Sequence, residues 1–161
     1  MLHPSTARRM PSPRAWAWVA LAWIGVIFFS STSLALKWAE GGFSFLSSAL
    51  LQHLKENTSS YHLAHLLADK GFHVTLFFVF AVLLWLALGR NVRKGWIILL
   101  AGAVIGCISE FLQRFFPDRD PALRDVLINT GGTALGLAIC FAIGRVRSSR
   151  REPACSTLYS R

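Results

Sequence analysis

GWIILLAGAVIGCISEFLQRFFPDRDPALRDVLINTGGTALG, residues 95–136, is the stretch whose reading decides the fold. It opens with an apolar run over residues 95–116, 22 residues long. About 20 helical residues cross ~30 Å of hydrocarbon at a rise of 1.5 Å each. Pro117-Asp118-Arg119-Asp120 then makes a turn. Asp120 followed by Pro121 is a helix start: the carboxylate caps free amides, and proline at the first position loses no hydrogen bond. A second span follows over residues 121–144, so the stretch is a hairpin of two transmembrane helices.

Polar side chains inside both spans follow helical geometry. Gly102, Gly106, Glu110 and Gln113 are four, four and three apart, which is one stripe. Asp125, Asn129, Gly132 and Gly136 are four, three and four apart, again one stripe. Each stripe carries two glycines four residues apart, the spacing that lets membrane helices approach closely. Glu110 lies seven residues before Pro117, and Asn129 eight after Pro121. Both are therefore roughly 10–12 Å inside the turn. Ionisable groups in hydrocarbon cost ~2.5 kcal/mol or more each unless they face a cavity or a partner. A small polar pocket is the expected outcome. A purely structural role stays open. Glu110 would then bridge to Arg114 or Arg119, Asn129 would hydrogen-bond between helices, and Asp125 would favour the helix N-terminus.

Upstream, residues 61–89 can run as one helix of 29 residues, roughly 43 Å long, behind Ser60 as N-cap. Arg90, Asn91, Arg93 and Lys94 end it. Asp69 and His73 lie near its start, at the level of the pocket. Residues 16–36 form a further apolar run of 21 residues, longer than a signal-peptide core of ~7–15, so an uncleaved anchor is expected although Ser33-Leu34-Ala35 resembles a cleavage site. In the connection over residues 37–70, Phe45, Leu46, Ala49, Leu50 and Leu54 recur at helical spacing between polar residues, as in an amphipathic helix on the membrane surface. Asn57-Thr58-Ser59 matches a glycosylation sequon, a three-residue pattern common by chance. The predicted fold is all-α: a polytopic membrane protein of four transmembrane helices, with an extracytoplasmic amphipathic segment between the first and second. Residues 1–14 form an N-terminal segment, 15–144 the transmembrane domain and 145–161 a basic tail without fixed structure.

Composition agrees. At 161 residues and 53% hydrophobic, a soluble domain could not hide so much apolar surface. The net charge of +9 would suggest nucleic acid in a soluble protein, but here the cations flank apolar runs, so no nucleic-acid partner is expected. With the N-terminus inside, the inner segments hold Arg8, Arg9, Arg14, Arg90, Arg93, Lys94, Arg145, Arg147, Arg150, Arg151 and Arg161. The outer side keeps Lys37, Lys55, Lys70, Arg114, Arg119 and Arg124, and seven of the eight acids. The positive-inside rule thus predicts cytoplasmic ends.

Cys107, Cys140 and Cys155 have neither metal nor redox spacing. His62, His65, Asp69 and His73 share a helix face, and Glu110 could join them around a metal; solvated turns account for the same histidines, and no metal or cofactor is expected. Trp16, Trp18, Trp38 and Trp96 suit interfacial anchoring, while Phe77, Phe78 and Phe80 suit core or lipid.

The same residues resemble the VanZ-like family of bacterial membrane proteins, from Ser30-Ser31 to Gly136. The family pattern has Asp-Lys and then His at the second helix, here Asp69, Lys70 and His73. Glu, Gln and a Pro-Gly-Arg turn follow, here Glu110, Gln113, Pro117 and Arg119. Asp, Asn and Gly complete it, here Asp125, Asn129 and Gly132. Asp118 replaces the usual turn glycine, and Phe77 stands where an aromatic, often Tyr, is usual. The resemblance implies the fold and a site rather than a reaction; the founding member is associated with low-level resistance to the glycopeptide teicoplanin.

The function expected is a non-enzymatic envelope protein whose outward pocket, made of Asp69, His73, Glu110, Gln113, Arg119, Asp125 and Asn129, binds a membrane-lipid headgroup or glycan-lipid such as a cell-wall lipid precursor. Two alternatives remain. One is a membrane-embedded hydrolase or transferase with Asp69, His73 and Glu110 as acid–base residues. The other is a structural partner of another membrane complex. Transport is disfavoured, since no inverted repeat is found and no polar path reaches the other side.

Overall fold

The computed structural model describes residues 11–34, 58–116 and 122–149, with side chains at all of them except 58–69. Among these residues the structure is entirely helical, and four helices are long and apolar enough to cross a membrane. The amphipathic segment expected between the first and second spans lies outside the described residues.

Helix α1 spans Pro13–Ser30 rather than 16–36. Ser12 moves the start upstream, because its side chain accepts from the Ala15 N–H at 3.3 Å with Pro13 at the first position. Hydroxyls bring the end forward. Ser30 donates to the Ile27 carbonyl at 2.6 Å and Thr32 to the Phe29 carbonyl at 2.7 Å. The amides of Ser31 and Thr32 turn to i−3 carbonyls, which tightens the last turn. Eighteen residues give roughly 27 Å, close to the hydrocarbon thickness.

Helix α2 spans Thr58–Ala87, so Ser60 lies within it and is not its N-cap. Serine and threonine lose only a few tenths of a kcal/mol in a helix, too little to hold the start at Ser60. The far end is a Schellman cap. The Arg90 amide donates to Trp85 C=O at 3.0 Å and the Gly89 amide to Leu86 C=O at 3.3 Å, with Gly89 at φ 72°. A Cβ on Gly89 would meet nothing within 4 Å, so the substitution isolates the backbone term. Gly89→Ala is expected to destabilise the protein by about 1 kcal/mol, read as a lowered Tm in detergent.

One 3-10 turn, Val92–Lys94, follows, and the Asn91 side chain accepts from the Arg93 amide at 3.0 Å. Helix α3 spans Gly95–Gln113, and i−3 bonds carry the chain on through Phe116. Helix α4 spans Leu123–Ser149, five residues beyond the expected end at 144. Gly144 has open space on all sides and no proline follows until Pro153. The helix therefore runs on through Arg145 and Arg147, in what the sequence suggested was unstructured tail. The Asp120-Pro121 start signal lies outside the described residues.

Helix α2 is the centre of the bundle and packs on all three others. The Ser31–Ser109 and Lys70–Asp125 pairs lie towards one end of it, and Trp85, Gly95 and Phe141 meet at the other. Two apolar clusters fill the interior. Ile27, Leu76, Phe77 and Phe80 form one, and Ala81, Trp85, Ile98, Leu137 and Cys140 the other. Phe77 and Phe80 are thus core rather than lipid-facing, and the Trp23 indole N–H ties α1 to the Leu76 carbonyl at 2.9 Å. The outer faces remain apolar, as in Leu127, Leu135, Ile139 and Ile143 of α4, and lipid is their solvent.

The four stripe glycines serve two different seams. A Cβ on Gly106 would lie 3.3 Å from the Asn129 Cβ, and one on Gly102 would run into the Thr133 side chain, so α3 takes in side chains of α4 there. A Cβ on Gly132 would lie 2.6 Å from the Val74 carbonyl oxygen, and one on Gly136 2.8 Å from that of Phe78. At those positions α4 meets the backbone of α2 itself.

Candidate functional site

The alternation of helix directions brings the end of α1, the membrane-entering part of α2, the end of α3 and the start of α4 to one level. The polar residues of the spans are buried there. Glu110 is 5% exposed, Gln113 4%, His73 5%, Asp125 7% and Asn129 0%. Buried between apolar helices, such groups are without solvent, so their partners decide what they do.

Lys70 of α2 donates to Asp125 Oδ2 of α4 at 2.7 Å. Asp125 stands in the first turn of α4, where free amides and the helix dipole also favour a carboxylate. Arg124 Nε lies 3.8 Å from its other oxygen. Glu110 of α3 accepts from Gln113 Nε2 at 3.3 Å and from the Ala122 amide at 3.4 Å. The α3 carboxylate thereby satisfies a backbone donor at the entrance to α4. The hydroxyls of Ser31 and Ser109 share a hydrogen bond of 2.6 Å that joins α1 to α3.

Asn129 is packed differently. Its carbonyl accepts from Thr133 Oγ1 at 3.1 Å within α4, and its side chain lies against Gly106 and near Phe77. Neither side-chain atom has a hydrogen-bond partner among the described residues. The interhelical hydrogen bond suggested for Asn129 is therefore not made there. A buried primary amide in that position holds unused donor and acceptor capacity.

A groove of about 250 Å³ runs along the α3–α4 seam at this level. Cys107, Glu110, Phe111 and Arg114 line it from α3 and its C-cap, and Ala122, Leu123 and Val126 from the entrance and first turn of α4. One wall is thus an acid and a cation one helical turn apart, and the rest is apolar. Leu123 is 87% exposed and Phe111 also faces outward, so the groove opens on the lipid side of the bundle.

Of the residues singled out from sequence, His73, Glu110, Gln113, Asp125 and Asn129 are all buried at this end. Arg119 lies outside the described residues, as do the side chains of Asp69, His62 and His65. Among the described residues no three His, Cys, Asp or Glu side chains are gathered as metal ligands. Sequence reasoning missed Lys70 as the partner of Asp125, the Ser31–Ser109 link, Thr133, and the groove beside Arg114. Spacing offered a signal for two of them: Thr133 is four residues from Asn129, and Arg114 four from Glu110. The Lys70 pairing crosses helices and has no such signal.

Among curated proteins and among solved structures, nothing matches the chain. A family model described as VanZ/LLP1 matches residues 16–144, from the first helix into the fourth. With four apolar helices and that match, this multi-pass membrane protein belongs to the VanZ/LLP1 family.

Proposed function

We propose that this protein is a non-enzymatic binding protein of the bacterial inner membrane, which holds a lipid headgroup or glycan-lipid at the Glu110 end of the bundle. The observation that carries the reading is the α3–α4 groove, where Glu110 and Arg114 stand beside an apolar floor of Cys107, Phe111, Leu123 and Val126. An amphiphile matches that lining: Arg114 meets a phosphate or carboxylate, Glu110 accepts from an amine, amide or hydroxyl, and the alkyl part lies on the apolar seam.

The charge distribution supports an orientation with both ends in the cytoplasm, and hence a groove at the outer leaflet. Cell-wall lipid precursors carry the required phosphate, amide and hydroxyl groups and fall within this ligand class. A link to glycopeptide resistance is consistent with such a ligand.

The test is native mass spectrometry of the full chain extracted with its lipids. One lipid class is expected on the wild type, reduced about tenfold or more in Glu110→Ala and in Arg114→Ala, the loss of one charge-assisted hydrogen bond. Membrane insertion should be unchanged. Equal lipid retention in both variants and wild type ends the reading. Turnover of a lipid extract by the wild type, abolished in His73→Ala, would replace it with the enzymatic one.

A further inference from the structure

The four stripe glycines are not equally crowded. A Cβ on Gly102 would run into the Thr133 side chain, one on Gly132 would lie 2.6 Å from the Val74 carbonyl oxygen, and one on Gly136 2.8 Å from that of Phe78. On Gly106 the nearest neighbours of a Cβ would be Asn129 Cβ at 3.3 Å, Asn129 Nδ2 at 3.6 Å and Phe77 Cε1 at 3.8 Å. The least crowded of the four thus lies beside the Asn129 amide. We propose that this place in the α3–α4 seam binds one ordered water molecule, which bridges the Asn129 amide to Asp125 Oδ1 along α4.

The first anchor is Asn129. It is 0% exposed, and neither Nδ2 nor Oδ1 has a hydrogen-bond partner among the described residues. A primary amide brings two N–H donors and a carbonyl acceptor into the interior. Thr133, the hydroxyl one turn along the stripe, spends its hydrogen on the Asn129 main-chain carbonyl at 3.1 Å. Phe77 is fully buried and offers the amide only a ring edge. A buried polar group that the surrounding helices leave unsatisfied is the setting in which proteins hold internal water.

The second anchor is Asp125. Its Oδ2 takes the Lys70 ammonium at 2.7 Å, whereas its Oδ1 is buried with no hydrogen bond among the described residues. Arg124 Nε, at 3.8 Å from Oδ1, is beyond hydrogen-bond reach. Asp125 and Asn129 are four residues apart on one helix face, with Cβ atoms about 5–6 Å apart. One water can therefore accept from Asn129 Nδ2 and donate to Asp125 Oδ1. Lys70 already balances the Asp125 charge, which selects a neutral guest over a cation. Burial of all three atoms selects water over a headgroup hydroxyl. Neither residue lines the groove beside Glu110, so the site stands apart from the ligand proposed there.

The test uses the full chain in detergent micelles, labelled with nitrogen-15 at asparagine. Asn57, Asn91 and Asn129 are then the labelled side chains, and the signal lost in Asn129→Leu assigns the third. The Asn129 side-chain amide protons are expected to show a nuclear Overhauser cross-peak to a water that stays bound longer than the molecule tumbles. Absence of that cross-peak in the folded wild type overturns the site, and this measurement needs no variant. Thr133→Val is expected to keep the cross-peak; its loss there would reduce the signal to hydroxyl exchange and overturn the site. Gly106→Ala sets a methyl group 3.6 Å from Nδ2 and is expected to abolish the cross-peak, while Gly131→Ala, in open space, leaves it. Its survival in a folded Gly106→Ala variant would overturn the location. In Lys70→Met/Asp125→Leu the water is expected to leave about tenfold faster, one hydrogen bond having been removed. An unchanged residence time would overturn the bridge to Asp125. A cross-peak to headgroup protons of added lipid, in place of water, would overturn water as the guest.

Discussion

Gly132→Val is expected to destabilise the protein by about 3 kcal/mol, while Gly131→Ala next to it is expected to be neutral or slightly stabilising. The two glycines are adjacent in sequence, but Gly132 is buried and Gly131 exposed. A Cβ on Gly132 would lie 2.6 Å from the Val74 carbonyl oxygen and 3.1 Å from the Val74 Cα. Those are backbone atoms of α2, and no rotamer change moves them aside. The α2–α4 seam would have to open, and with it the packing of Gly136 on Phe78 one turn along. In lipid, close backbone approach is a main source of helix association, so the loss is not made up by hydrophobic burial. Gly131 has nothing within 4 Å of a Cβ and is exposed, so alanine there gains helix propensity at no steric cost. Thermal or denaturant unfolding in detergent measures both. A stable Gly132→Val variant would mean that α2 and α4 are not in backbone contact.

Lys70→Ala is expected to cost about 2 kcal/mol, and the double variant Lys70→Met/Asp125→Leu to recover most of that loss. Removing one partner of a fully buried ion pair costs ~3–5 kcal/mol because the other charge is left uncompensated. Here the side chains keep 22% and 10% of their exposure, and Arg124 Nε stands 3.8 Å from Asp125, so screening lowers the figure. Replacing both partners by apolar residues of similar volume removes the desolvation penalty together with the attraction. Full recovery in the double variant identifies the pair as a structural tie between α2 and α4. Loss of lipid retention in the double variant, with stability restored, would assign Lys70 or Asp125 to the ligand as well. A Lys70→Ala variant as stable as wild type would rule out the tie.

The helix ends show how local signals compete. Ser12-Pro13 overrode the start expected at Trp16, because a cap and a proline outweigh the first apolar residue. Ser30, Ser31 and Thr32 closed α1 early by back-bonding, although the apolar run continues to Leu36. Gly144 did not stop α4, because nothing after it competes with the helix. The interior faces were easier to read. Gly102, Gly106, Glu110 and Gln113 on α3, and Asp125, Asn129, Gly132 and Gly136 on α4, are all buried, as helical spacing implies for groups too costly to leave in lipid.

By itself the sequence determined the number of spans, their class and which face of the last two turns inward. Length and hydrocarbon thickness settle the first two, and the 3.6-residue period settles the third. Only the tertiary structure decided what each inward face meets. Gly132 meets the backbone of α2 while Gly106 meets the side chain of Asn129, and Asp125 takes Lys70 as its partner across two helices. Periodicity is a property of one helix, whereas a neighbour is chosen by the packing of several, and no spacing along a single chain encodes that choice.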